Sequence, residues 1–224
     1  MMIFEYGTTL FIVDAGLMFP DDYMLGVDYV IPDMDYVKKN RSLISGIVLT
    51  HAHEDHIGAL PFLLKEVNAP VFGTPFTLGV VKHKLEEFDV VAPSGLHEIH
   101  PGEQLKLGPF VLEFIQVGHS VVDGVGIAIR TPYGLIVHTG DFKISHSIGN
   151  GLATDVGRFA QCGEKGVLAL LSDSTNIEKE GYTISARAIS EKLARIVDES
   201  KGRIIIALFA SNINRIQQIV NIAV

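Results

Sequence analysis

The sequence predicts an α/β fold, and three observations support it. Apolar runs of strand length, such as 46–49 and 110–117, alternate with stretches of helical periodicity such as 77–87. Several of those runs end in a short polar segment with glycine beside a histidine or an aspartate. The densest such segment packs three imidazoles and two carboxylates into six residues, 51–56 (His-Ala-His-Glu-Asp-His). It lies between an apolar run and a helix entered through Gly58, on the kind of loop where a rigid scaffold places its chemistry.

Taken in order, 2–6 and 9–13 read as two strands of a hairpin joined at Gly7-Thr8. The second runs into Asp14-Ala15-Gly16, a carboxylate at a strand end followed by a glycine turn. Residues 19–29, rich in Pro, Asp and Tyr, read as an irregular loop, and 33–40 as a short helix before the strand at 46–49. After the helix beginning at Leu60 come a short strand at 70–73 and an amphipathic helix at 77–87, with Leu78, Val81 and Leu85 at helical spacing. His83, His97 and His100 read as surface residues. The strand at 110–117 delivers Gly118-His119-Ser120. Residues 125–130 and 135–137 form a hairpin around 131–134, ending in His138-Thr139-Gly140-Asp141. A helix at 155–162 and a buried strand at 167–171 follow, the latter ending in Ser172-Asp173-Ser174-Thr175-Asn176. A helix at 185–199, N-capped by Ser185, a strand at 203–209 and a helix from Asn212 complete the pattern.

In extended backbone, side chains two apart share a face, so His51 and His53 can address one ion. Asp55 and His56 follow where the chain turns and aim at a neighbouring point. Imidazole with carboxylate suits zinc, and two pairs of ligands suggest two metals about 3.5–4 Å apart. His119 completes a three-histidine set, and Asp141, with two oxygens, can bridge both ions. Asp14 can orient the site through a ligand or merely cap its turn; the first reading is preferred. Glu54 is expected to be an exposed bystander.

Length and composition bound the rest. The 224 residues suffice for one large domain or one and part of a second. Hydrophobic residues at 47% and charged ones at 20% are ordinary for a globular protein. No apolar stretch approaches the ~20 residues of a membrane span, and no basic region precedes an apolar core at the N-terminus, so the expected compartment is the cytoplasm. The single cysteine, Cys162, is expected to be a buried helix residue. Eighteen Lys and Arg against 26 Asp and Glu, a net charge of −8, argue mildly against a nucleic-acid surface. Carboxylates gathered round metals inflate that tally, because the ions neutralise them locally.

The HxHxDH pattern at His51, His53, Asp55 and His56, with His119 and Asp141 later, resembles the metallo-β-lactamase superfamily. That resemblance implies an αββα sandwich with metals at one edge. Residues 12–20 (Ile-Val-Asp-Ala-Gly-Leu-Met-Phe-Pro), 138–143 (His-Thr-Gly-Asp-Phe-Lys) and 170–176 (Leu-Leu-Ser-Asp-Ser-Thr-Asn) look like the ribonuclease J family, in the β-CASP branch. Asp173 matches the first β-CASP motif acid. Residues 209–212 and 215–218 also resemble that family, although Asn214 stands where a histidine is expected.

The resemblance implies a division into a metallo-β-lactamase domain over 1–181 and the start of an inserted β-CASP α/β domain over 182–224. It implies that the family's first strand precedes Met1 and that its later histidine motifs lie beyond Val224, so the chain is expected to be a fragment. The implied activity is hydrolysis of RNA by two zinc ions, with manganese the alternative, both internally and from 5′ to 3′, in mRNA decay and rRNA maturation. Asp55 and His56 would be catalytic as well as ligating, with Asp173 a partner in proton transfer. RNA is the implied partner, with homo-oligomerisation at full length and no membrane. The rival readings are a thioester or lactone hydrolase on the same fold, or an inactive metal-binding fragment.

Overall fold

The computed structural model describes residues 1–144, 153–181, 184 and 186–223. The first strands, β1 (Met2–Tyr6) and β2 (Thr9–Val13), form the expected antiparallel hairpin. Helix α1 (Asp35–Lys39) leads to β3 (Ile44–Val48), which pairs parallel to β2. A four-residue helix α2 (Glu54–Ile57) and α3 (Leu60–Glu66) follow, then β4 (Val71–Gly73), α4 (Pro75–Glu87) and β5 (Leu96–Glu98). These strands make one sheet in the order β1-β2-β3-β4-β5.

The second sheet comprises β6 (Gln104–Leu107), β7 (Phe110–Gln116), β8 (Val125–Thr131), β9 (Gly134–His138) and β10 (Ala169–Leu171), in the order β10-β9-β8-β7-β6. Helix α5 (Val156–Glu164) joins β9 to β10. Helices α6 (Ala186–Glu199) and α7 (Ile213–Ala223) end the chain and pack against each other.

Strand alternation builds the layers. On β2, Leu10 and Ile12 face one way, into a core with Val37, Leu60, Leu63 and Val81 from the helices. Phe11 and Val13 face the other way, between the sheets, against Phe110, Leu112, Phe114 and Ile127. Phe11 stacks on Phe4 and meets Phe110 edge-on, each with ring centroids 4.9 Å apart. On the far side of the second sheet, Ile115, Ala128 and Val137 pack against Phe159 and the buried Cys162 of α5. The result is helix, sheet, sheet, helix.

Strand direction fixes where the chemistry goes. β2 and β3 run parallel, as do β9 and β10, and β7 shares the direction of β9 because β8 is antiparallel to both. All five therefore present their C-terminal ends to one edge. The sheets are joined there by Val125 N–H donating to the Thr50 carbonyl at 2.9 Å.

Four expectations need correction. The segment 54–57 is helical rather than a plain turn, and Glu54 is no bystander: its carboxylate pairs with Lys84 Nζ at 2.8 Å. Strand β6 carries no apolar run long enough to be recognised, having only two leucines. The strand at 167–171 is shorter and lies at a sheet edge: Leu171 packs toward the inter-sheet core, but Leu170 is 62% exposed, with no layer among the described residues over its face. Residues 203–209 have the composition of a strand but no partner strand among the described residues, so no ladder forms. Tyr182 and Ser185 lie outside the described residues.

Candidate metal centre

Asp14, at the end of β2, has a left-handed backbone with φ 58°. Its carboxylate accepts the Thr50 N–H on Oδ1 and the Thr50 hydroxyl on Oδ2, each at 2.8 Å. His56 Nδ1–H donates to the same Oδ2 at 2.8 Å. With its proton committed to Asp14, the Thr50 oxygen can accept from His51 Nδ1–H at 3.1 Å. Asp14 thus assigns the proton of both rings to Nδ1, one directly and one through Thr50. Nε2 of each ring is left to face the centre: on His51 it carries a lone pair, while on His56 it carries a second proton that would have to give way to an ion.

The other half of the motif is held by close approach. Ala15 N–H donates to the His56 carbonyl at 2.7 Å and Leu17 N–H to the Glu54 carbonyl at 3.1 Å. A Cβ on Gly16 would stand 1.5 Å from the Asp55 carbonyl oxygen, so only glycine lets the β2 end lie against α2.

His53 works in the opposite tautomer. Its Nε2–H can donate to Ser120 Oγ at 3.2 Å, which leaves the lone pair on Nδ1. That Nδ1 is 3.0 Å from His51 Nε2 and 3.2 Å from His119 Nε2. Asp141 Oδ2 lies 3.9 Å from His51 Nε2 and 3.6 Å from His119 Nε2. Donor atoms of His51, His53, His119 and Asp141 all fall within 4.8 Å of one another. Asp55, His56 and Asp141 form a second such group. There His56 Nε2 is 3.4 Å from Asp141 Oδ1 and 3.7 Å from Asp55 Oδ2. The two oxygens of Asp141 therefore face different groups.

Charge agrees with geometry. Burial pushes His51 down to about 3, with the neighbouring His56 charge adding to the effect. Burial also lowers His53 and His119. All three are neutral near pH 7, and with the tautomers of His51 and His53 set by Thr50 and Ser120 the lone pairs of those two converge, with His119 Nε2 3.2 Å from His53 Nδ1. Such a set is repulsive by itself and suits a cation. Burial opposes a charge on His56, but hydrogen bonds to Asp14 and Asp141 outweigh it and raise the ring to about 10. The His56 hydrogen bond holds Asp141 well below the usual carboxylate range. Burial works against the Asp14 charge too, yet His56 and Thr50 keep it lowered. The donors fit zinc in type and number: four at the first group and three at the second, Asp141 being shared.

Asp173 stands apart from both groups. Its N–H donates to Thr139 Oγ1 at 3.0 Å, and its carboxylate accepts the Thr175 N–H at 2.8 Å. It lines a polar cavity of about 660 Å³ with His119, Asp141, Lys143 and Lys179. On the Asp55 side lies a second cavity of about 900 Å³, lined by Leu17, Phe19, His53, Asp55, Phe76 and Phe209. His83, His97 and His100 are exposed and distant from the centre's contacts.

Thr50, Ser120 and Lys84 have supporting roles that the sequence reading did not assign. Thr50 and Ser120 each adjoin a ligand histidine, a local signal that was available. Lys84 offers none, because its partner Glu54 belongs to another element.

The family model for the metallo-beta-lactamase superfamily matches residues 1–186. A Ribonuclease J of Helicobacter pylori (strain J99) is 42% identical over 219 residues, 97% of this chain and 32% of that protein. A Ribonuclease J of Thermus thermophilus is 43% identical over 225 residues, 97% of this chain and 39% of that protein. Ribonuclease J2 of Bacillus subtilis is 41% identical over 223 residues, covering 100% and 40%. The chain thus spans between 32% and 40% of the length of these relatives. A crystal structure of a protein of unknown function from Enterococcus faecalis shares the fold with TM-score 0.67 at 19% identity, covering 98% of this chain and 59% of that one.

Proposed function

The chain belongs to the metallo-β-lactamase superfamily, and from that premise we propose that it carries the catalytic centre of a zinc-dependent ribonuclease. The observation that carries the reading is Asp141, whose two oxygens face two separate groups of donors. That is the arrangement of a bridging carboxylate between paired ions. Zinc ions held there would supply Lewis acidity and an activated water near neutral pH. His51, His53 and His119 with Asp141 would hold the first position; Asp55, His56 and Asp141 would hold the second. Asp55, 67% exposed at its side chain, is free to orient a water molecule or take its proton. Asp173, which lines the polar cavity together with His119 and Asp141, is the proposed partner for proton transfer.

RNA as substrate is supported by the similarity to ribonucleases J, together with the cavities on either side of the centre. An extended polymer crossing the edge can occupy both cavities while one phosphodiester lies over Asp141. Internal and 5′-to-3′ cleavage both belong to this reading, as do the division at 181/182 into a metallo-β-lactamase and a β-CASP portion and homo-oligomerisation. No helix among the described residues is long and apolar enough to cross a membrane.

The test is cleavage of 5′-monophosphorylated single-stranded RNA by zinc-loaded protein. Asp55→Ala combined with His56→Ala should remove most of the activity, since both lose a ligand of the second ion. Near-normal turnover by that double variant would sink the mechanism. The apolar lining of the larger cavity favours a second reading, hydrolysis of an acyl thioester or lactone. Turnover of such an ester with RNA left intact would select it.

A further inference from the structure

Helix α4 starts at Pro75, and its N-cap residue, Thr74, makes no side-chain capping bond of its own. The cap comes from the other sheet. Asp123 Oδ2 accepts the Phe76 N–H at 3.0 Å, and its Oδ1 accepts the Thr74 hydroxyl at 2.7 Å. An open N–H at a helix start carries partial positive charge, so a carboxylate is well matched there. To reach it, Asp123 takes a left-handed backbone with φ 54°. A residue with a side chain holds that conformation only when its surroundings compensate.

Asp123 belongs to the loop that carries His119 and Ser120. The loop is closed at its stem by Val117 N–H donating to the Gly124 carbonyl at 3.0 Å. Gly118 N–H donates to Thr154 Oγ1 at 2.9 Å. Among the described residues, 119–123 make no backbone–backbone hydrogen bond. The Asp123 carboxylate ties the end of that stretch down, alongside the buried Val121. Its anchor is firm: Thr74 and Thr77 are fully buried, and Leu78, Val81 and Leu85 seat α4 in the core. The same helix, through Lys84, also grips Glu54 beside the other ligands.

We propose that Asp123 is a positioning residue for the three-histidine group: by capping α4 it pins the 117–124 loop and sets where the His119 ring and the Ser120 hydroxyl stand. Ser120 in turn holds the His53 ring, so one anchor governs two of the three imidazoles. This inference rests on the metal reading above and is indifferent to the substrate.

Zinc titration of the whole chain by calorimetry, with melting of the metal-free protein alongside, tests it. Asp123→Gly removes the carboxylate and also the left-handed strain. It should leave the metal-free melting temperature close to the parent's while weakening the tightest zinc site by about tenfold or more. Asp123→Asn should restore affinity to near the parent's. Its amide oxygen can accept from Phe76 N–H while its NH₂ donates to the Thr74 oxygen, whose proton then turns to Thr77. Thr74→Val leaves the loop sequence intact and deletes one donor, so it should weaken the same site by a smaller factor; it decides the matter should the glycine variant not fold. Parent-like affinity in Asp123→Gly, or in Thr74→Val where the glycine variant is lost, overturns the inference and leaves the metal reading standing. A parent chain that takes up no zinc overturns both.

Discussion

The carboxylate of Asp14 settles, directly and through the Thr50 hydroxyl, which nitrogen of His56 and of His51 keeps its proton. Asparagine at this position tolerates the left-handed backbone but offers one acceptor oxygen to three donors. Asp14→Asn should therefore weaken the second zinc by about 10- to 100-fold, with a smaller effect on the first. A two-site zinc titration reads both, and in the parent the four-donor site should fill before the three-donor one. The residues that the structure groups as candidate ligands were legible in the sequence because they follow apolar runs at strand ends, as His51 and Asp141 do. Asp123 was not, since its partners Thr74 and Phe76 lie 49 and 47 residues away and only the folded sheets bring them together.

At the scale of elements, Glu113 shows how the second sheet holds its helix. It points to the outer face of β7, buried, and accepts from Arg158 of α5 and from Arg130 of β8 at 3.1 Å. The Arg158 hydrogen bond holds its carboxyl below the ordinary value of 4.5. The folded pKa is the depressed one, so this stabilisation is complete above about pH 4.5 and fades as pH falls through the folded value. Glu113→Gln should cost about 1–3 kcal/mol at neutral pH. Urea melts of parent and variant should differ by a constant amount down to about pH 4.5 and converge below it. A gap that widened in acid would refute the assignment. Element identity was readable along most of the chain, because hairpin turns and helical stripes are local patterns. Burial was not: β10 and residues 203–209 are as apolar as inner strands, but a neighbouring layer or a partner strand decides that, and neither is encoded in the segment itself.

Across the whole molecule, the centre joins two sheets whose direct hydrogen bond at that edge runs from Val125 to Thr50. Candidate ligands from both sheets meet there, so on the proposed reading bound zinc would favour the folded state alone. At a free concentration of 100 times its dissociation constant it should add about 2.7 kcal/mol. Melting in zinc against melting in excess chelator measures this; identical curves would contradict a site shared by the sheets.

That shared edge also has a consequence in time. During synthesis His51, His53 and His56 emerge first, His119 later, and Asp141 last of these candidate ligands. The motif is made early, but it cannot close until β7 and β9 have registered beside β2 and β3. On the proposed reading, metal retention would mark finished folding, and a copy that left the ribosome with its sheets unjoined would hold no metal.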